Sequence, residues 1–191
     1  MSNTKENILQ TALKLFATQG YDATSVRQIA KEANANLSAI SYHFESKEGL
    51  YKAVFLHCFN FIENIIKNAP KAPLDRLSHY ALKMGALHQK EPFIARFFIA
   101  TISNPKPFFK DTFVQSQSKI LAFFKDTFAQ VIENGDFKKD LNVKSAIIAF
   151  ISIVNFYFFV SQFKAFPQGF DGLKNEYALN ALDIFLNGIK A

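Results

Sequence analysis

An all-α fold is what this sequence predicts, and three observations carry it. Glycines and prolines number only seven and six in 191 residues, so the chain has little turn punctuation and reads as long helices. Apolar residues recur every three or four positions along most of the length, and strand-type alternation is sustained nowhere. With 49% hydrophobic and 20% charged residues, the composition supports a sizeable core and is wrong for a disordered chain.

The elements follow in order. Residues 4–19 put Ile8, Ala12, Leu13 and Phe16 on one face with Leu9 beside them, and Gly20 stands where a C-terminal cap belongs. Ser25 lies three residues before Gln28, the spacing of a capping box, ahead of a helix with the apolar stripe Val26, Ile29, Ala30 and Ala33. Asn34-Ala35 then turns the chain, with Asn34 expected in the left-handed region that asparagine tolerates. Asn36 caps a short helix over 37–44. Ser46 caps a longer one from 47 to about 68, which Pro70 and Pro73 stop. Five more helices are expected, over about 74–89, 92–103, 108–134, 143–166 and 174–190, with breaks at "NPKP", Gly135 and "PQGFDG".

Two short helices joined by a tight turn and braced by a longer first helix have helix-turn-helix geometry. A recognition helix in the major groove needs small or adaptable side chains against base edges. Leu37 supplies an apolar contact there, and Ser38 and Ser41 supply hydroxyls. Arg27, on the helix before, reaches a guanine edge or a phosphate. Tyr42 and His43 come where the helix leaves the groove, and both can donate to phosphate oxygens. Lys47 opens the next helix, whose free N–H groups and positive dipole end favour a phosphate, and Thr24 and Ser25 do likewise at the start of the helix before the turn. Ile40 and Phe44 point into the core. The plainer alternative is a three-helix bundle in which Tyr42 is a surface aromatic and His43 satisfies a carbonyl.

The runs "ILQTALKLFATQGYDATSVRQIAKEA" and "NLSAISYHFESKEGLY" resemble the TetR (tetracycline-repressor) family of bacterial transcription regulators, over residues 8–52. The specific feature is the pairing of "TSVRQIA" with "YHF-x-SKE-x-L" at this spacing. Two positions depart from the family: Asn34 stands where glycine is usual, and Ser41 where tyrosine is common and contacts a phosphate. The resemblance implies a helix-turn-helix DNA-binding domain over 1–46 and a helical effector-binding and dimerisation domain over 47–191. It implies a cytoplasmic homodimer on a palindromic double-stranded operator, repressing transcription until a small molecule releases it. The last two helices would pair with their copies across a two-fold axis.

The rest of the chain is read with that partner in mind. Residues 146–160 are apolar almost all round but fall short of the roughly 20 residues that span a bilayer. The expectation is a helix buried on every side, with no membrane role. The final helix carries Tyr177, Ala178, Ala181, Leu182, Phe185 and Ile189 at helical spacing, and Phe185 belongs either to the dimer contact or to the chain's own core. Of the 23 phenylalanines, a stripe such as Phe97, Phe124, Phe128 and Phe159 is either plain core or the wall of an apolar pocket. Arg96 and Asn155 interrupt greasy segments and need partners. Those are internal (Glu91 or Asp126 for Arg96) or the polar head of an amphipathic, anionic effector.

Net charge is +6, but residues 1–52 hold six basic against five acidic groups, so overall basicity does not locate a DNA-binding face. The single cysteine, Cys58, excludes an intrachain disulfide and fits a buried small hydrophobe in a reducing compartment. The N-terminus enters an amphipathic pattern directly, without the basic-then-apolar run of a secretion signal. No metal-ligand spacing, glycine-rich phosphate loop or nucleophile-base pair is legible, so no cofactor, metal or enzymatic activity is expected. A function of another class stays open: a helical dimer that binds a hydrophobic metabolite or a protein partner without a DNA role.

Overall fold

The structure, a computed structural model, describes residues 4–161, 173 and 176–189. Among them every regular element is a helix, as the periodicity predicts. The order is α1 Thr4–Ala23, α2 Val26–Glu32, α3 Leu37–Phe44, α4 Lys47–Lys67, α5 Pro73–Lys90, α6 Pro92–Ser103, a 3-10 turn Pro107–Phe109, α7 Lys110–Glu133, α8 Val143–Val160 and α9 Tyr177–Ile189. Gly20 interrupts α1 at φ 80°, ψ 169°, a conformation open to glycine, and the helix resumes to Ala23. Asn34 takes the left-handed φ of 51° expected of it. The expected continuation of α8 to residue 166 and the start of α9 at 174 lie outside the described residues, as does the side chain of Ile189.

The chain forms two compact units. The first comprises residues up to Asn60 together with Glu91–Val114. This packing division is a separate matter from the functional boundary at 46/47, which remains a proposal. In the first unit α1 packs against α2, α3 and α6. Ile8, Ala12, Leu13 and Phe16 are buried as their spacing predicts, and Ile29, Ala30, Ile40 and Phe44 close over them from α2 and α3. Farther along α4, Phe55 lies against Phe59, Phe98 and Phe109, with centroids 5.8, 5.7 and 4.6 Å away. Such pairs each contribute about 0.5–1.5 kcal/mol beyond area burial. Cys58 is fully buried here, and burial pushes its thiol up to about 12.

The second unit comprises Phe61–Lys90 and the chain from Gln115 onward. In it α5 packs on α8 and α9, and α8 on α9. Tyr80, Phe124 and Phe150 form one ring cluster, and Phe128, Phe137 and Phe185 extend it. Phe185 is therefore a residue of the chain's own core, where it also meets Phe150 at 5.2 Å. Among the described helices α8 is long and apolar enough to cross a membrane by length and composition. The expectation that it is buried all round needs correcting. Ile147, Phe150, Val154 and Phe158 are buried, whereas Ile148 and Phe156 are 64% and 61% exposed. The reason is that α5 and α9 cover one side of the helix and leave the other uncovered.

One buried polar pair ties this unit together. Asn155 on α8 donates through Nδ2 to the Ile151 carbonyl at 2.7 Å, so its Oδ1 accepts from His88 Nε2 at 2.9 Å. His88 is 4% exposed, stacks on Phe158, and is held below the ordinary histidine pKa by burial, partly offset by the Asn155 bond. The folded imidazole stays neutral where the unfolded one protonates, so this residue costs nothing above pH 6.5 and destabilises progressively below it, down to its folded pKa. Thermal unfolding should accordingly move to lower temperature between pH 6.5 and 5. A His88→Gln protein should show a shallower decline over that interval, and an unchanged decline would assign it to another group.

Candidate nucleic-acid interface

Local sequence chemistry builds the site one cap at a time. Ser25 caps α2, its Oγ accepting the Gln28 N–H at 3.1 Å. Asn36 caps α3: its Oδ1 accepts the Ala39 N–H at 2.7 Å and the Ser38 hydroxyl at 2.8 Å. Ser46 caps α4 by accepting the Gly49 N–H at 3.0 Å. Each cap sets the direction in which a helix leaves its turn and so aims its outer face.

On α3 the core side and the outer side separate cleanly. Ile40 and Phe44 are buried, while Leu37 is 45% and Tyr42 84% exposed, and Ser38 and Ser41 are exposed beside them. Arg27 on α2 and the Ser25 cap are exposed as well. His43 is half-buried, its ring edge-on to Tyr42 at 4.9 Å. Thr24 stands apart from these. It is 1% exposed, and its hydroxyl donates to the Gly20 carbonyl at 2.8 Å, bracing the bend in α1.

Lys47 has company that sequence reasoning did not find. Its Nζ sits 4.1 Å from the centroid of the Tyr21 ring, and partial burial lowers its pKa, opposed by the Asp22 carboxylate. Asp22 in turn accepts from Lys106 Nζ at 2.5 Å and lies 3.4 Å from the Asn104 amide. These residues are remote in sequence, and spacing carries no sign of their meeting. Gly49 was also missed. A Cβ there would lie 2.1 Å from the Phe44 carbonyl oxygen, because the α3–α4 turn folds back on itself through Glu45 at φ 65°. A glycine three residues after a serine cap was the available signal.

The residues expected around an effector fall in separate units. Phe97 on α6 is fully buried in the first unit, 5.2 Å from the Tyr51 ring, with Arg96 half-buried next to it. Phe124 and Phe128 on α7 and Asn155 and Phe159 on α8 belong to the second. Phe159 is half-buried against His88, and Asp126, one carboxylate expected beside Arg96, pairs with Arg76 at 2.7 Å.

Comparison with known proteins supplies the frame. Residues 8–54 match the family model described as bacterial regulatory proteins, tetR family. A 62-residue stretch, 32% of this chain, is 39% identical to IcaR of Staphylococcus aureus (strain Newman), a negative transcriptional regulator of the biofilm operon icaADBC. That match covers 33% of the relative, so the chain spans about a third of its length. Among solved structures, a tetR-family regulatory protein from Rhodococcus RHA1 matches with TM-score 0.81 at 20% identity over 100% of this chain and 99% of that one. The regulator FadR of Bacillus subtilis, solved with stearoyl-CoA, matches with TM-score 0.78 at 19% identity over 96% and 98%.

Since the Gly49 site admits no Cβ without backbone movement, Gly49→Ala should lower the unfolding temperature and reorient α3 against α4. Circular dichroism melting would register the first effect. A Gly49→Ala protein as stable as the parent would show that the turn relaxes freely.

Proposed function

We propose that this chain, whose residues 8–54 match the tetR-family model, is a regulator of that family that binds a palindromic operator as a homodimer and represses transcription there. A small apolar or amphipathic molecule, an anion such as a long-chain carboxylate, releases it. The observation that carries the reading is the outer face of α3, where Leu37, Ser38, Ser41 and Tyr42 stand exposed over a core anchored by Ile40 and Phe44. In this reading Leu37, Ser38 and Ser41 meet base edges, Arg27 meets a base or phosphate, and Ser25, Tyr42, His43 and Lys47 hold the backbone. Thr24 contributes by shaping the start of α2. The repressing sense is supported by the negative regulator IcaR.

The homodimer is supported by apolar side chains left uncovered on the last two helices: Ile148 and Phe156 on α8, Leu179 and Ile184 on α9. The effector is proposed to meet Arg96 and Phe97 of the first unit, whereas Phe124, Phe128 and Asn155 are taken up by the second unit's own core, where Phe159 lies against His88. Rings of this kind favour an apolar body, at roughly 25 cal/mol per Å2 removed from water, and a guanidinium favours a carboxylate head. The stearoyl-CoA held by the FadR neighbour supports that choice over a sugar or a cationic drug. Release follows from a population shift: ligand tilts α4 and changes the separation of the two α3 helices. The protein acts in the cytoplasm, where the operator is.

Two measurements test this. Lys47→Ala should weaken binding to every DNA sequence alike and reduce the salt slope by about one unit, whereas replacing Ser38 or Ser41 should change preference among operator variants by about 1–3 kcal/mol per lost base contact. Affinity and salt slope both unchanged in Lys47→Ala would refute the docking. For the dimer, Phe156→Asp should shift sedimentation towards the monomer and abolish operator binding while helix content is preserved. Wild-type protein that sediments as a monomer at micromolar concentration would end the dimeric reading.

A further inference from the structure

Tyr21 closes the last turn of α1, and its ring is fixed by packing. Phe16, Tyr51 and Phe108 lie 5.9, 5.1 and 5.2 Å from it, centroid to centroid. The same ring carries two cations, Lys47 Nζ at 4.1 Å and Lys106 Nζ at 5.7 Å from its centroid. Lys47 comes from the first turn of α4 and Lys106 from the turn between α6 and α7, all within the first unit.

Two kinds of partner are available to an ammonium in this place, and they act oppositely on a phosphate contact. An aromatic face attracts the charge without using an acceptor oxygen, so N–H groups turned away from the ring stay open to a phosphate. A carboxylate takes an N–H directly and adds a negative charge that repels the phosphate. Lys47 has Tyr21 as its ring, and Asp22, the next residue, is the carboxylate whose charge it feels. Asp22 is engaged elsewhere. It accepts from Lys106 Nζ at 2.5 Å, and that bond is the largest cause holding its carboxyl below the ordinary value, with the Lys47 charge the smallest. The Lys106 side chain is only 15% exposed, so it is laid against the protein rather than extended into solvent.

We propose that Tyr21 and Lys106 are positioning residues for Lys47. The Tyr21 ring holds the ammonium at the start of α4, and Lys106 occupies the Asp22 carboxylate that would otherwise draw it off a phosphate. Fixing a long side chain beforehand also lowers the ordering cost of docking. The benefit to DNA binding rests on the operator reading above, whereas the hold of the ring on Lys47 does not.

Nuclear magnetic resonance of the full-length protein, without DNA, reads that hold. The Lys47 methylene protons next to the ammonium should resonate upfield of those of other lysines, because they lie over a ring face. Tyr21→Phe should preserve the displacement and Tyr21→Leu should remove it, with Tyr21→Met in its place if the leucine variant melts early. No upfield displacement in the wild type overturns the positioning. Operator titration reads the consequence. Tyr21→Leu and Lys106→Met should each weaken binding about two- to fivefold, and Tyr21→Phe should bind as the wild type does. In a Lys47→Ala background both effects should vanish, since each acts through that ammonium. Effects of full size in that background assign the two residues to folding or to general charge, and overturn the proposal. Adding Asp22→Asn to Lys106→Met should restore binding in the presence of Lys47 and change nothing in its absence; failure to restore removes Lys106 from the set. A wild type that binds no DNA overturns the operator reading, and the Lys47 resonance then decides the positioning alone.

Discussion

The first unit is organised around one buried hydroxyl. Thr101 spends its proton on the Phe97 carbonyl, so the 2.8 Å bond between Tyr51 and Thr101 must be donated by the tyrosine. That bond joins α4 to α6 in a place from which water is excluded, where an unpaired hydroxyl would cost about 1–3 kcal/mol. Around it the Tyr51 ring meets Phe16 at 5.1 Å, Tyr21 at 5.1 Å, Phe97 at 5.2 Å and Phe109 at 5.5 Å. Helices α1, α4 and α6 and the turn before α7 thus share a single centre. The last letter of "NLSAISYHFESKEGLY" is the residue on which they converge.

Most of the fold was legible because helices announce themselves locally. Caps at Ser25, Asn36 and Ser46, prolines at the starts of α5 and α6, and the glycine after α7 act through neighbours a few residues away, so each could be placed from sequence. The outer face of α3 was legible for the same reason, since a helical period separates Ile40 and Phe44 from Leu37, Ser38 and Ser41. What could not be read is what depends on tertiary approach. Nothing near Lys47 in sequence points to Tyr21 or to Lys106, and nothing near Asn155 points to His88, 67 positions away. Thr24 looked like a second phosphate ligand because its hydroxyl is polar; the bend at Gly20 claims that hydroxyl first.

Phenylalanine was the hardest signal to interpret, and the structure explains why. Phe124 and Phe128 repeat at four-residue spacing on α7 whether they fill a core or wall a pocket, and they prove fully buried, against Tyr80, Phe137, Phe150 and Phe185. An apolar groove of about 480 Å3 in the first unit is instead walled by Phe109 and Phe113, together with two prolines that keep the chain from closing into helix. The rings alone do not make the space. The interruption of the helix between α6 and α7 does.

If α3 reads DNA as proposed, its division of labour bears on how the chain changes over generations. Leu37, Ser38, Ser41 and Tyr42 lie outside the packed interior, so exchanging them leaves the buried contacts of Ile40 and Phe44 intact, and surface replacements of this kind are usually within about 0.5 kcal/mol for folding. Gly49 and Tyr51, a few positions downstream, have no such latitude, one confined by a backbone oxygen and the other by five rings. On that reading a gene duplicate could acquire a new operator through a handful of codon changes while inheriting its scaffold whole.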